Sequence, residues 1–177
     1  MKLVWILSMF AASAFAAEDV ASAVAGTVKT VDKGGKTVVV KAADGTEHTF
    51  HVATRATVHG AVAVGNGSAD VFRGLKEGDQ VVAHYTVKGT EETADEFDRV
   101  GKDGLHVTEG TVKKVDRSAK TITVKTADGA EQTYHFTAHL AKETGDEAAK
   151  AAEKAGKVTV YYSDEAGRKV AHFFKSS

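Results

Sequence analysis

The stretch GTVKTVDKGGKTVVVKAADGTEHTFHV, from Gly26 to Val52, decides the fold. It holds two short apolar-polar runs, Thr37 to Lys41 and Glu47 to Val52, joined through Ala43-Asp44-Gly45. Alternation of this kind is the mark of half-buried β-strands, and Asp-Gly between them marks a hairpin. The register follows from the faces. A loop of Asp44-Gly45 alone would pair Val38 with His51 and Val40 with Thr49, mixing apolar and polar side chains on each face. A three-residue loop, with Gly45 in the left-handed position of a G1 bulge, pairs Val38 with Phe50 and Val40 with His48. The opposite face then carries Lys41 by Glu47, Val39 by Thr49 and Thr37 by His51. One face is apolar and the other is charge-paired, which only the second register achieves.

The stretch recurs from Gly110 to Phe136 as GTVKKVDRSAKTITVKTADGAEQTYHF, identical at 16 of 27 positions at an offset of 84. The same pairing rule there places Ile122 by Tyr134 inward, and Lys125–Glu131, Thr123–Thr133 and Thr121–His135 outward. A period of this length fits a duplicated small domain rather than a solenoid. Ahead of the hairpin, Val24, Gly26 and Val28 share one face, and Val31 falls out of phase by one. That slip predicts a β-bulge, which bends a strand as a small barrel requires. Arg55 to Gly67 reads as irregular, and Ser68 as the cap of a short helix over Ala69 to Gly74. Gln80 to Val87 and Thr93 to Val100 read as a fourth and a fifth strand, and Gly101 to Gly104 as a short linker that keeps two units in touch. In the second copy these last strands align at an offset of 77, Val81 on Val158, Tyr85 on Tyr162, Ala94 on Ala171 and Phe97 on Phe174. Asp146 to Ala155, rich in Ala, Glu and Lys and stopped by Gly156, reads as the equivalent helix.

Three meandering strands, a helix and two more strands is the order of an OB-type five-stranded barrel. The motifs Gly-x-Val-x-x-Val-Asp, Thr-x-x-Val, Asp-Gly and Thr-Phe, with Gly78-Asp79 opening the fourth strand, resemble a group of OB-like domains. Those are bacterial envelope-associated domains of unknown function, often found in tandem. The resemblance covers nearly all of the chain after its N-terminal run, and departs where an Ala-Gly-Lys sequence replaces Gly78-Asp79 in the second copy. It implies the fold and export, and no chemistry. The expected architecture is therefore all-β with short helices: two tandem five-stranded OB-like barrels, residues 17–101 and 102–177, after a signal peptide at 1–16.

The N-terminal run MKLVWILSMFAASAFAAEDV supports that leader. Lys2 is a minimal basic n-region, Leu3 to Phe15 an apolar core, and Ala14-Phe15-Ala16 a small-x-small cleavage pattern. The apolar core falls short of the about 20 residues a membrane helix needs. Cleavage after Ala16 predicts a periplasmic or secreted protein with no membrane span after cleavage. The formal net charge is −1, and −2 once Lys2 leaves with the leader. Such a balance offers no bulk attraction for nucleic acid or an anionic membrane. There is no cysteine, hence no disulfide framework and no thiolate metal site.

Eight histidines raise the question of a metal. His48 and His51 are three apart on a strand and point to opposite faces. His135 and His139 are separated by about 13 Å on a continued strand. His51 and His135 take the same outward place in each copy, so they are the candidate metal ligands. His48 sits inward at the barrel mouth, where the second copy has Gln132. With Lys29 and Lys41, and their counterparts Lys113 and Lys125, it is the candidate for another ligand, an anionic polymer or glycan. The strand aromatics Phe50 and Tyr134 point inward, which removes the stacking platform that single-stranded nucleic acid uses. Asp95 and Asp98 face opposite ways on a strand, so the acidic run Asp95-Glu96-Phe97-Asp98 reads as solvated charge. Neither a Gly-x-Ser-x-Gly elbow nor a His-Glu-x-x-His helix is present. The sequence therefore predicts a non-enzymatic binding or scaffold protein of the bacterial envelope, without a cofactor, whose partner is an envelope protein or polymer. The alternative is a histidine-dependent metal-binding periplasmic protein.

Overall fold

The computed structural model describes residues 20–60, 67–137, 140 and 156–176. The leader, the helix expected over Asp146 to Ala155 and His139 lie outside them. Among the described residues, ten strands and one short helix follow in order. The first barrel is β1 (Val20–Asp32), β2 (Thr37–Ala42), β3 (Glu47–His59), α1 (Ser68–Gly74), β4 (Gln80–Lys88) and β5 (Glu91–Arg99). The second is β6 (His106–Asp116), β7 (Thr121–Thr126), β8 (Glu131–Phe136), β9 (Lys157–Glu165) and β10 (Arg168–Ser176). Each set closes into a five-stranded barrel, in the orders β1-β2-β3-β5-β4 and β10-β8-β7-β6-β9. Closure runs through one parallel pair in each, β3 with β5 and β8 with β10. The chain is thus two tandem OB-like barrels.

Both hairpins hold the expected register. Val38 pairs with Phe50, Val40 with His48 and Lys41 with Glu47; Ile122 pairs with Tyr134 and Lys125 with Glu131. Gly45 takes a φ of +89°, the left-handed conformation its turn needs. The bulges also fall as expected, between Val28 and Thr30 in β1 and between Val112 and Lys114 in β6. Lys29 and Lys113 are their extra residues, and both are exposed. Beside each bulge, a Cβ on Gly26 or Gly110 would run into the carbonyl oxygen of Lys41 or Lys125. Glycine there lets the two strands close.

The inward residues make a core in each barrel. Val38, Val40, Phe50 and Phe97 are fully buried in the first, and Val124, Val160 and Ala171 in the second. Truncating a ring such as Phe50 costs about 3–5 kcal/mol. Val71 and Phe72 of α1, with Leu75 just after it, complete the first core. The helix starts at Ser68 rather than after it, and Gly67 stands at its N-cap with no side-chain cap bond.

Four differences from the sequence reading concern the strands and the linker. β1 begins at Val20, and β5 spans Glu91–Arg99 rather than starting at Thr93. β3 does not end at Val52: it shifts register between Val52 and Thr57 and runs on to His59. Ala56 and Val58 point into the core there, so the alternation resumes after exposed Thr54 and Arg55. The linker folds back on itself, with Leu105 N donating to Arg99 O at 2.7 Å and Gly101 N to Leu105 O at 3.0 Å. Gly60, at φ +71°, meets Gly104 so closely that a Cβ would stand 2.6 Å from Gly104 Cα. The linker is held close against the first barrel at this point. Among the described residues, no helix is long and apolar enough to cross a membrane.

Candidate metal centre

The extension of β3 ends in His59, and the parallel ladder sets His59 opposite Asp98 of β5. Phe97 points into the core, so Glu96 and Asp98 share the outer face of β5. β4 places His84 opposite Glu96, on that same face. Four titratable side chains thus collect on one patch of the first barrel. The second barrel covers it. β10 has a bulge between Ala171 and Phe173, and its extra residue, His172, reaches Asp98.

Asp98 is the hub and is completely buried. Its Oδ1 accepts from His59 Nδ1 at 2.9 Å. Its Oδ2 lies 2.9 Å from His172 Nδ1 and 3.3 Å from His84 Nε2. The Nδ1 of His59 also stands 3.0 Å from Glu96 Oε1. His172 Nε2 contacts Ser163 Oγ at 2.9 Å, and Ser163 donates to Glu165 at 2.7 Å. Burial pushes the Asp98 carboxyl up, but bonds from His172, His59 and His84 more than reverse this and hold it well below the usual carboxylate range. Hydrogen bonding to Asp98, then to Glu96, pushes the His59 imidazole up to about 10 against its partial desolvation. His59 remains half exposed, on a cleft of about 360 Å³ that Arg99, Leu105 and Ser163 also line.

Among the described residues, His59, Glu96 and Asp98 form a group whose ligand atoms all lie within 4.8 Å of one another. One imidazole nitrogen with two carboxylate oxygens suits a divalent first-row ion such as Zn²⁺ or Mn²⁺. Soft donors are missing: there is no cysteine, and both methionines, Met1 and Met9, fall in the N-terminal run. The ion would take the place of the proton on His59 Nδ1, which two carboxylates now share.

The residues singled out in the sequence stand elsewhere. His51 is exposed on β3 opposite Thr37, and His135 is half-buried on β8 opposite Thr121. Neither belongs to the three-ligand group. His48 is partly buried on β3. Its ring stacks on Phe50 at 5.7 Å and its Nδ1 lies 2.9 Å from Glu92 Oε1. Lys29 is paired with Glu47 at 2.6 Å. Lys41 and Lys125 are exposed at the rims of equivalent clefts in the two barrels. The acidic run is not solvated charge: Asp98 is fully buried and Glu96 is 9% exposed. The signal missed was Glu96 and Asp98 flanking inward Phe97, two residues apart and therefore on one face.

No family model matches the chain, and no curated protein matches it. Solved structures of CusF do, among them one with Ag(I), 14% identical over 45% of this chain and 97% of that one, TM-score 0.34. A second, CusF-Ag(I) from Escherichia coli, is 14% identical over 48% and 98%, TM-score 0.36. Drosophila Unr CSD456 is 13% identical over 90% of this chain and 63% of that one, TM-score 0.34. Likeness at this level carries no argument about a ligand.

Proposed function

We propose that this chain is an exported, non-enzymatic binding protein of the cell envelope whose ligand is a divalent transition-metal ion. The ion is held by His59, Glu96 and Asp98 at the junction of the two barrels. The observation that carries the reading is the convergence of those three ligand atoms, with Asp98 kept ionised in a buried place. A carboxylate is left buried only where it is well paired, and three imidazoles surround this one. The half-exposed His59 gives an ion a path in from the cleft. The apolar leader supports export to the periplasm or beyond. The partner protein or polymer expected from the sequence is then a recipient or source of the ion.

Native mass spectrometry and calorimetric titration with Zn²⁺ and Co²⁺ test this. One ion per chain is expected, lost in His59→Ala and retained in the double variant His51→Ala/His135→Ala. Equal uptake by the His59→Ala protein sinks the assignment.

A further inference from the structure

We infer that the centre is a two-barrel device, in which His172 of the second barrel is the positioning residue that holds Asp98 ready for the ion. This rests on the metal reading above. Asp98 has two oxygens with separate tasks. Oδ1 accepts from His59 and is the oxygen placed to meet an ion there; Oδ2 lies 2.9 Å from His172 Nδ1 and 3.3 Å from His84 Nε2. A ligand carboxylate is aimed by what its other oxygen binds. Here the shorter contact of that other oxygen comes from a different barrel.

The second barrel is built to supply it. His172 is the extra residue of a bulge, the device by which a strand re-aims one side chain without losing its ladder. Its ring is fixed at the far side by Ser163, which Glu165 in turn anchors. The equivalent bulge on β5 carries Asp95 in place of a histidine. Among the described residues, the second barrel forms no such group of its own. Tyr161, Phe173 and Lys175 stand where the first has His84, Glu96 and Asp98, in the same ladder. Tyr161 and Phe173 pack their rings at 5.6 Å instead. One copy holds the donors and the other the support.

Ion binding and docking of the second barrel are therefore coupled, each strengthening the other by the same factor. The test is Co²⁺ titration of the full chain, read by affinity and by the visible d–d spectrum. His172→Ala is expected to weaken binding by about 10- to 100-fold and to alter the spectrum. His172→Asn, whose amide donates from about the place of Nδ1, is expected to recover most of both. Should His172→Ala lose its circular dichroism, Ser163→Ala replaces it, and weaker binding is again expected. Wild-type affinity and spectrum in the folded His172→Ala or Ser163→Ala protein overturn the inference. If His59→Ala also binds as wild type, the metal reading itself has failed. Loss in His59→Ala alone leaves the centre standing and removes only the second barrel from it.

Discussion

The outer faces of β4–β5 and β9–β10 are the same strand pair, in the same register, carrying opposite chemistry. The first presents His84, Glu96 and Asp98; the second presents Tyr161, Phe173 and Lys175. The two faces take part in one junction, where Asp98 meets His172, and Tyr161 and Lys175 border a cleft with Gly26 and Lys41. The hairpins β2–β3 and β7–β8, by contrast, keep equivalent pairs, and β1 and β6 keep the same bulge. Core and turn positions serve each barrel alone, so the copies meet the same demands there. At a mutual contact, like faces would set carboxylate against carboxylate. Divergence makes them complementary, and it suppresses the wrong pairing of either barrel with its own kind.

That contrast can be broken most severely at Asp98. Asp98→Asn leaves three imidazoles without their anion, and a loss of about 3–5 kcal/mol is expected by urea denaturation. At the matching place in the second barrel, exposed Lys175→Gln is expected to stay within about 0.5 kcal/mol. Equal losses at the two positions would mean that the faces are not specialised. The shared half of the comparison is sharpened by Gly26→Ala and Gly110→Ala. Each drives a Cβ into a strand carbonyl, at about 1–3 kcal/mol, and the two should agree.

The pH dependence has a definite sign. The folded pKa of His59 is raised from 6.5 to about 10, so its contribution to stability is complete below about pH 6.5 and is lost as pH rises through 10. Thermal melts of the metal-free protein should fall across that window, and His59→Gln should flatten the fall. Because the ion displaces the same proton, its affinity should rise about tenfold per pH unit over the same range. Asp98, held low, adds stability above its unfolded value that fades only on strong acidification. The smallest effect is expected at His51→Ala and His135→Ala, within about 0.5 kcal/mol each.

The hairpins were legible because side chains alternate with a period of two. Pairing Val38 with Phe50 puts every apolar residue on one face, and a slip of one residue destroys this. The barrel order followed from the helix between strands three and four. The centre was not legible, for reasons of distance and interruption. Thr54 and Arg55 break the alternation of β3, so the strand that delivers His59 reads as loop. Asp98 is met by His172, which lies 74 residues further along and on another barrel. A bulge at Asp95 also breaks the alternation of β5 just before Glu96. Charged residues on a strand are solvated unless something distant covers them, and local pattern does not say what does.

The bulge on β10 has a practical side. An inserted residue outside the ladder is an interchangeable peg: its identity can be changed while the register on either side is kept. Asp95 and His172 occupy such pegs in the two barrels. A protein engineer could therefore rewrite which barrel recognises which, one codon at a time, and build longer arrays with a chosen order of modules.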